Sequence, residues 1–251
     1  MDNRQGFARL YDAHHSSHTE DIPFWLTIAQ QHANLPVLEL GCGSGRVAIA
    51  LALAGCLVTG LDIDSEMLLI AQKRLDSLPS SGLHLVQADM TAFYLEQAFG
   101  SILLPCNTLS TFSTADRQKI FTMAAHHLHL QGWFAASIPN PSYLHKLPAV
   151  SAPEIEEMFT HPLDREPVQV SSSWKRDQDD FTITWHYDHL LPDGRVDRTN
   201  VQVRHSLEPV SIYQEQLNTA GLVIKETYGD FDFSAYTGDS PNLILVAQRS
   251  S

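Results

Sequence analysis

Residues 37–55, V-L-E-L-G-C-G-S-G-R-V-A-I-A-L-A-L-A-G, constrain this chain more than any other stretch. Val37, Leu38 and Leu40 make the short apolar run of a buried parallel strand, and 47–53 is apolar, alanine-rich and free of glycine, which favours a helix. Gly41, Gly43 and Gly45 lie between them. Glycine is needed where a chain turns with positive φ and where a ligand must approach the backbone with no Cβ in the way. The segment therefore reads as strand, tight turn and helix around a nucleotide-type pocket.

The alternation continues on both sides. Thr19, Glu20 and Asp21 supply capping oxygens before an amphipathic helix at 22–33, with Pro23 in its first turn. After the glycine turn, 56–61 reads as a strand, 65–75 as a helix, 83–87 as a strand, 101–104 as a strand, 115–130 as a helix closed near Gly132, and 133–138 as a strand. Strands alternating with helices imply right-handed crossovers and a mostly parallel sheet. The pattern then changes: 168–174, 181–190 and 195–206 alternate like strands, with Pro192, Asp193 and Gly194 as a hairpin turn. A helix at 212–220, ending at Gly221, precedes two strands, 222–228 and 242–248, that close the main sheet. The expected fold is α/β, a seven-stranded, mostly parallel sheet flanked by helices with an antiparallel β insertion. We read 1–251 as one domain, with 1–36 as an N-terminal helical lid segment and 141–210 as the insertion that covers the substrate.

Composition narrows the partners. Against 29 Asp and Glu stand only 16 Lys and Arg, a net charge of −13, so a polyanion meets repulsion and nucleic acid is not an expected partner. Cys42, Cys56 and Cys106 are odd in number and widely spaced, giving neither a disulfide framework nor a paired zinc knuckle, which suits a reducing cytoplasm. Asp2, Asn3, Arg4 and Gln5 after Met1 are not the start of a secretory signal, and the longest apolar stretch, 47–57, is too short for the roughly 20 residues of a spanning helix. Cytoplasmic location and no membrane partner are the expectations.

Asp62 ends the second strand about 20 residues after the first glycine, where a carboxylate accepts hydrogen bonds from ribose hydroxyls. That alone suits any adenosine cofactor. Glu39 before the turn, the G-C-G-S-G spacing and Asp89 at the end of the third strand favour a methyl donor over a dinucleotide. In E-L-G-C-G-S-G (39–45), G-L-D-I-D-S-E-M-L (60–68) and Q-A-D-M (87–90), the chain resembles the class I S-adenosylmethionine-dependent methyltransferases. L-Y-D (10–12), P-C-N-T-L-S (105–110) and G-D-F-D (229–232) make it similar to the small-molecule branch with amino-sugar and peptide N-methyltransferases.

The resemblance implies a Rossmann-like fold and S-adenosylmethionine as cofactor. It implies that Gly41 and Gly43 line the methionyl part, Asp62 holds the ribose, Ile63 and Met67 sandwich the adenine, and Asp89 with the Met90 amide reads its polar edge. Cys106 and Asn107 are then expected beside the transferable methyl. Tyr11, Cys42 and Arg46 complete the cofactor candidates, Arg46 either facing the donor's carboxylate or capping a solvent edge. The activity implied is methyl transfer to nitrogen or oxygen of a small molecule by in-line displacement. A donor-binding protein without turnover and an NAD-dependent oxidoreductase are the competing readings.

Asn107, His15, Tyr143 and His186 are the candidates for catalysis, with no base assigned. Alternation sends His186 to one face of an insertion strand and Tyr187 with His189 to the other. His14, His15 and His18, and likewise His126, His127 and His129, read as polar loop or helix residues, and no metal is expected. Phe7, Phe24 and Trp25 read as packing residues.

Overall fold

In the computed structural model, which describes residues 3–32, 34–78 and 82–250, two sheets share one chain. The elements run α1 (Asn3–His15), α2 (Ile22–Gln30), β1 (Val37–Leu40), α3 (Arg46–Leu53), β2 (Val58–Asp62), α4 (Ser65–Asp76), β3 (Leu83–Gln87), β4 (Phe99–Leu104), a 3-10 turn (Thr108–Thr111), α5 (Thr114–His127), β5 (Leu128–Pro139) and α6 (Pro141–Leu144). They continue with β6 (Glu154–Thr160), β7 (Pro167–Arg176), β8 (Asp180–Leu190), β9 (Val196–Ser206), α7 (Val210–Thr219), β10 (Leu222–Tyr228) and β11 (Asn242–Arg249). The main sheet has the order β10-β11-β5-β4-β1-β2-β3, and β11 runs antiparallel to both of its neighbours. No helix among the described residues is long and apolar enough to cross a membrane.

The period-2 alternation of the central strands divides the core into two layers. Leu38, Leu40, Ile102 and Leu104 pack on one side with α5 and α7, whereas Val37 and Leu103 pack on the other with Phe24, Trp25, Val47 and Leu51 from α2 and α3. Glu39, between Leu38 and Leu40, consequently points toward the α2 and α3 side, a carboxylate only 3% exposed in an apolar layer. Phe24 and Trp25 are packing residues as expected, and the side chain of Phe7 lies outside the described residues.

Two helices end short of the sequence expectation, and β6 has no counterpart in it. Helix α2 stops at Gln30, and α5 stops at His127, with Leu128 already extended and paired with Phe99. Gly132 therefore does not close a helix; it lies inside β5, where a Cβ would stand 2.9 Å from the His129 carbonyl and 3.0 Å from that of Gly100. It is a close-approach glycine rather than a helix stop.

The second sheet, order β6-β7-β8-β9, is antiparallel throughout. Tyr187 packs with Val168 and Val170, and Phe181 with Leu144 and Leu207, on the face turned toward the rest of the protein. The opposite face is polar: His186 bonds Ser173 Oγ at 3.1 Å and Asn200 Oδ1 at 2.7 Å, and Asp188 receives both arms of Arg198. Helix α1 joins the two sheets. Its Asp12 carboxylate accepts from Arg74 of α4 at 2.9 Å, and its His14 Nδ1 meets the Tyr187 hydroxyl at 2.9 Å. A β-bulge between Ile155 and Glu157 breaks the pleat of β6, so the consecutive Glu156 and Glu157 both reach His14 Nε2, at 3.7 and 3.5 Å.

Candidate active site

The strands β1, β2, β3 and β4 are parallel neighbours, so the segments after them emerge at one edge of the sheet. The chain crosses over in opposite directions from β1 and β4, which makes the crevice between them the place where an open α/β sheet takes a ligand.

Gly41, Gly43 and Gly45 all have positive φ, at 67°, 53° and 83°. A Cβ on Gly41 would lie 3.2 Å from the Met90 methyl, while one on Gly43 would meet nothing within 4 Å. Gly43 thus opens its backbone to a ligand, and Met90 closes the floor beneath Gly41. Asp62 anchors the turn: its carboxylate accepts from the Gly43 amide at 2.7 Å and the Asp64 amide at 2.8 Å. Burial raises its pKa, against the pull of those amides. Asp64 then caps α4 by accepting from the Glu66 amide. Next to Asp62, Ile63 is 65% exposed, an apolar side chain with no core to enter, and Met67 is half-buried in the first turn of α4. Asp89 holds its loop by accepting from the Thr91 amide and hydroxyl, both at 2.8 Å.

After β4 the chain passes through two successive left-handed residues, Cys106 at φ 61° and Asn107 at φ 59°. Non-glycine residues rarely adopt this conformation, and it persists where surrounding bonds over-determine it. Here the Asn107 amide donates to Ser137 Oγ, and its carbonyl accepts from the Ser110 amide and hydroxyl. Asn107 Oδ1 is buried with no hydrogen-bond partner. Ser110 in turn bonds His205 of β9 at 2.8 Å, tying the loop to the second sheet.

Arg46 holds the opposite wall. Its guanidinium takes both oxygens of Asp21, at 2.5 and 2.7 Å, and donates to the His18 carbonyl at 2.7 Å and to Cys106 Sγ at 3.1 Å. Rather than capping a bare solvent edge, Arg46 is a buttress joining α2, α3 and the β4 loop. Tyr11 and His15 of α1 lie over the same region. Burial, with the Cys106 thiol nearby, pushes the Tyr11 hydroxyl up to about 12. Burial, reinforced by His14, His18 and Arg46, lowers His15 to about 3, so its ring is neutral at pH 7, with Nε2 buried and unbonded.

Three expected residues stand apart. Cys42 is committed to the fold: its amide donates to the Leu61 carbonyl, its carbonyl accepts from Gly45, and its side chain fills the space above Gly60. His186 is on the polar outer face of β8, turned from α1 and pinned by Ser173 and Asn200. Tyr143, 39% exposed on α6, is not joined to the glycine turn by any contact described for it. The sequence reading gives Asp21 a capping role, but its side chain makes no cap bond and pairs with Arg46 instead; His205 and the pair Glu156 and Glu157 carry no expectation. A carboxylate before a helix looks like a cap, a histidine in an alternating strand has no signature, and a bulge leaves no mark on the pattern.

Glu39 is the most unusual group. Oε2 has no hydrogen-bond partner, and burial raises the carboxyl from 4.5 to about 8, against the opposing pull of Arg46 and the Ala48 amide. A carboxyl whose folded pKa lies above its unfolded value contributes stability that is complete below about 4.5 and is lost as pH rises through about 8. We expect Glu39→Gln to flatten that decline by an amount on the order of a few kcal/mol. Urea unfolding of both proteins at pH 5 and pH 8 measures it, and equal pH slopes would refute the assignment.

Residues 37–132 match a family model described as a methyltransferase domain. Over 98% of this chain and 97% of its own length, YqeM of Bacillus subtilis (strain 168), a protein provisionally named as a methyltransferase, is 26% identical. A solved S-adenosylmethionine-dependent methyltransferase from Clostridium acetobutylicum ATCC 824 superposes with a TM-score of 0.79 at 16% identity, covering 98% of each chain. CalS10 of Micromonospora echinaspora, an amino pentose methyltransferase solved with S-adenosylmethionine, gives 0.74 at 16% identity over 97% of this chain and 96% of its own. At these identities the two structures establish the likeness of fold.

Proposed function

On the premise that this chain carries a methyltransferase domain, on the fold of S-adenosylmethionine-dependent methyltransferases, we propose that it moves a methyl group from S-adenosylmethionine to nitrogen or oxygen of a small molecule. One observation carries the reading. The open glycine turn held by Asp62 follows β1, and two buried oxygens in or after β1 and its neighbour β4, Glu39 Oε2 and Asn107 Oδ1, are left without hydrogen-bond partners. Unsatisfied buried acceptors are costly, and a donor bearing ammonium and sulfonium charges relieves that cost.

Gly41 and Gly43 receive the methionyl part on backbone groups, and Asp62 accepts from the ribose hydroxyls. Ile63 and Met67 flank the adenine, with Asp89 and the Met90 amide at its polar edge. Bound S-adenosylmethionine supplies a methyl already activated on sulfur, so the protein's task is alignment and exclusion of water. Cys106 and Asn107, locked in their left-handed loop, set one side of that line. Tyr11 and His15 close it from α1. At about 3 the His15 imidazole is too weak a base to take a proton near neutral pH, so it positions, and the acceptor's proton leaves to solvent or to the acceptor's own base. The inner face of the second sheet, covering α1 and the β4 loop through His14–Tyr187 and Ser110–His205, shapes the acceptor pocket. CalS10 acts on an amino pentose, and an amino-sugar is the first acceptor class to try.

Calorimetric titration with S-adenosylmethionine, followed by transfer of isotope-labelled methyl to a panel of amino-sugars, amines and phenols, tests the proposal. Donor binding and label on at least one acceptor are expected. Donor binding with no transfer across the panel would favour a non-catalytic binder, and a folded protein that ignores the donor would overturn the reading altogether.

A further inference from the structure

The second sheet carries a group of side chains that methyl transfer does not use. His161 and Asp164 lie in the turn between β6 and β7, and His189 lies near the end of β8, opposite Val168. Their ligand atoms all fall within 4.8 Å of one another. His161 Nδ1 is 2.8 Å from Asp164 Oδ1, and His189 Nε2 is 3.1 Å from Asp164 Oδ2. The two imidazoles stack at 4.1 Å with 18° between their planes. We propose that His161, Asp164 and His189 bind one zinc(II) ion, which staples the β6–β7 turn to β8.

The geometry matches what the metal requires. Zinc takes imidazole nitrogen and carboxylate oxygen at about 2.0–2.2 Å in a tetrahedron, whose ligand atoms then stand about 3.3 Å apart. Separations of 2.8 and 3.1 Å, one to each oxygen of Asp164, are somewhat shorter than that edge, and the stacked rings must turn out of their near-parallel arrangement for both nitrogens to aim at one ion. His161 Nδ1 is a second, independent sign. Despite its contact with a carboxylate oxygen, it is buried and makes no hydrogen bond, because the oxygen does not lie where an N–H would aim. A bound ion would give that nitrogen the partner it lacks, and would take over the contact that His189 Nε2 makes with Asp164 Oδ1 at 3.2 Å.

The turn is also built to hold the set. The His161 amide donates to the Glu166 carbonyl at 2.8 Å, the Glu166 amide donates to Asp164 Oδ1 at 3.2 Å, and Arg165 takes a left-handed φ of 70° between them. The two histidine side chains are only 15% and 16% exposed, while Asp164 at 45% leaves a path for the ion and a water in the fourth position. Two imidazoles and one carboxylate suit zinc better than magnesium or calcium, which favour oxygen alone.

The test uses the full chain stripped with a chelator and titrated with zinc(II) in competition with a chromophoric chelator. We expect one tight equivalent, no comparable site for magnesium, and a rise in unfolding temperature on adding that equivalent. Asp164→Asn and His189→Ala should each weaken the site at least about tenfold. The double variant His18→Ala, His126→Ala, which removes exposed histidines elsewhere, should bind as the parent does. Cobalt(II) in place of zinc should give visible absorption of four-coordinate intensity in the parent and not in Asp164→Asn, whose conservative change at an exposed side chain keeps the fold. Unchanged affinity and stoichiometry in His161→Ala, His189→Ala, or a parent protein that binds zinc no better than magnesium, would overturn the proposal.

Discussion

Asp62→Ala is expected to weaken donor binding by about 100-fold or more, ~2.7 kcal/mol at the calorimeter. The size follows from two losses at one carboxylate. Its oxygens accept from the Gly43 and Asp64 amides, at 2.7 and 2.8 Å, and so hold the turn with Gly43 open to the ligand. Asp62 is also the acceptor proposed for the ribose hydroxyls, so the variant loses ligand contact and preorganisation together. Asp62→Asn keeps one carbonyl oxygen and the shape of the residue, and should fall between the parent and the alanine variant. Because both amides are at a half-buried loop, thermal unfolding should shift far less than affinity does. A donor affinity in Asp62→Ala within about threefold of the parent, with the fold intact, would remove the ribose assignment and the proposed donor pocket with it.

Arg46→Met is expected to cost about 3–5 kcal/mol of stability, the range for removing one partner of a buried ion pair. The Arg46 and Asp21 side chains are 14% and 10% exposed, and Asp21 also accepts from the Trp25 indole at 2.9 Å. Without the guanidinium, the Asp21 carboxyl keeps only the Trp25 indole as a partner, the His18 carbonyl loses a donor, and Glu39 loses the cation that holds its pKa down. For a chain of this length the unfolding temperature should fall by roughly 6–20 °C. Adding Asp21→Asn to Arg46→Met should recover much of that loss, since it removes the stranded carboxyl. If the double variant is no more stable than the single one, the pair is not the source of the effect.

The legible and illegible parts of this site differ in physical kind. Gly41, Gly43, Asp62 and Asp89 could be read because each answers a local demand: positive φ, an open backbone, or an acidic group at a strand end. The strands β3 and β10 were read at their observed limits because turns and alternation bound them on both sides. Cys42 was harder, since its neighbours in sequence are ligand-facing while its own side chain packs over Gly60. His186 was misleading for a related reason. Alternation correctly separated it from Tyr187, but which face turns inward is decided by α1, whose His14 finds Tyr187 across more than half of the chain. Gly132 shows the limit of punctuation, because a glycine after a helical pattern reads as a stop whether it ends the helix or lets two strands approach. Arg46 with Asp21, and Ser110 with His205, are pairings of distant residues, and no local rule announces them.

The bulge in β6 has a bearing on insertions and deletions. In a regular strand, adjacent glutamates face opposite ways, and only one of Glu156 and Glu157 could face α1. The additional residue turns both toward His14, so this patch doubles its negative charge by chain length rather than by substitution. Removing Glu156 would restore the pleat and leave the β6–β7 ladder in register on either side, subtracting one carboxylate and little else. Removing any residue from the unbulged β8 would instead exchange its two faces, bringing His186 inward and sending Tyr187 out. Among these strands, β6 is therefore the one whose length can vary by a residue without reversing which side chains face the cleft.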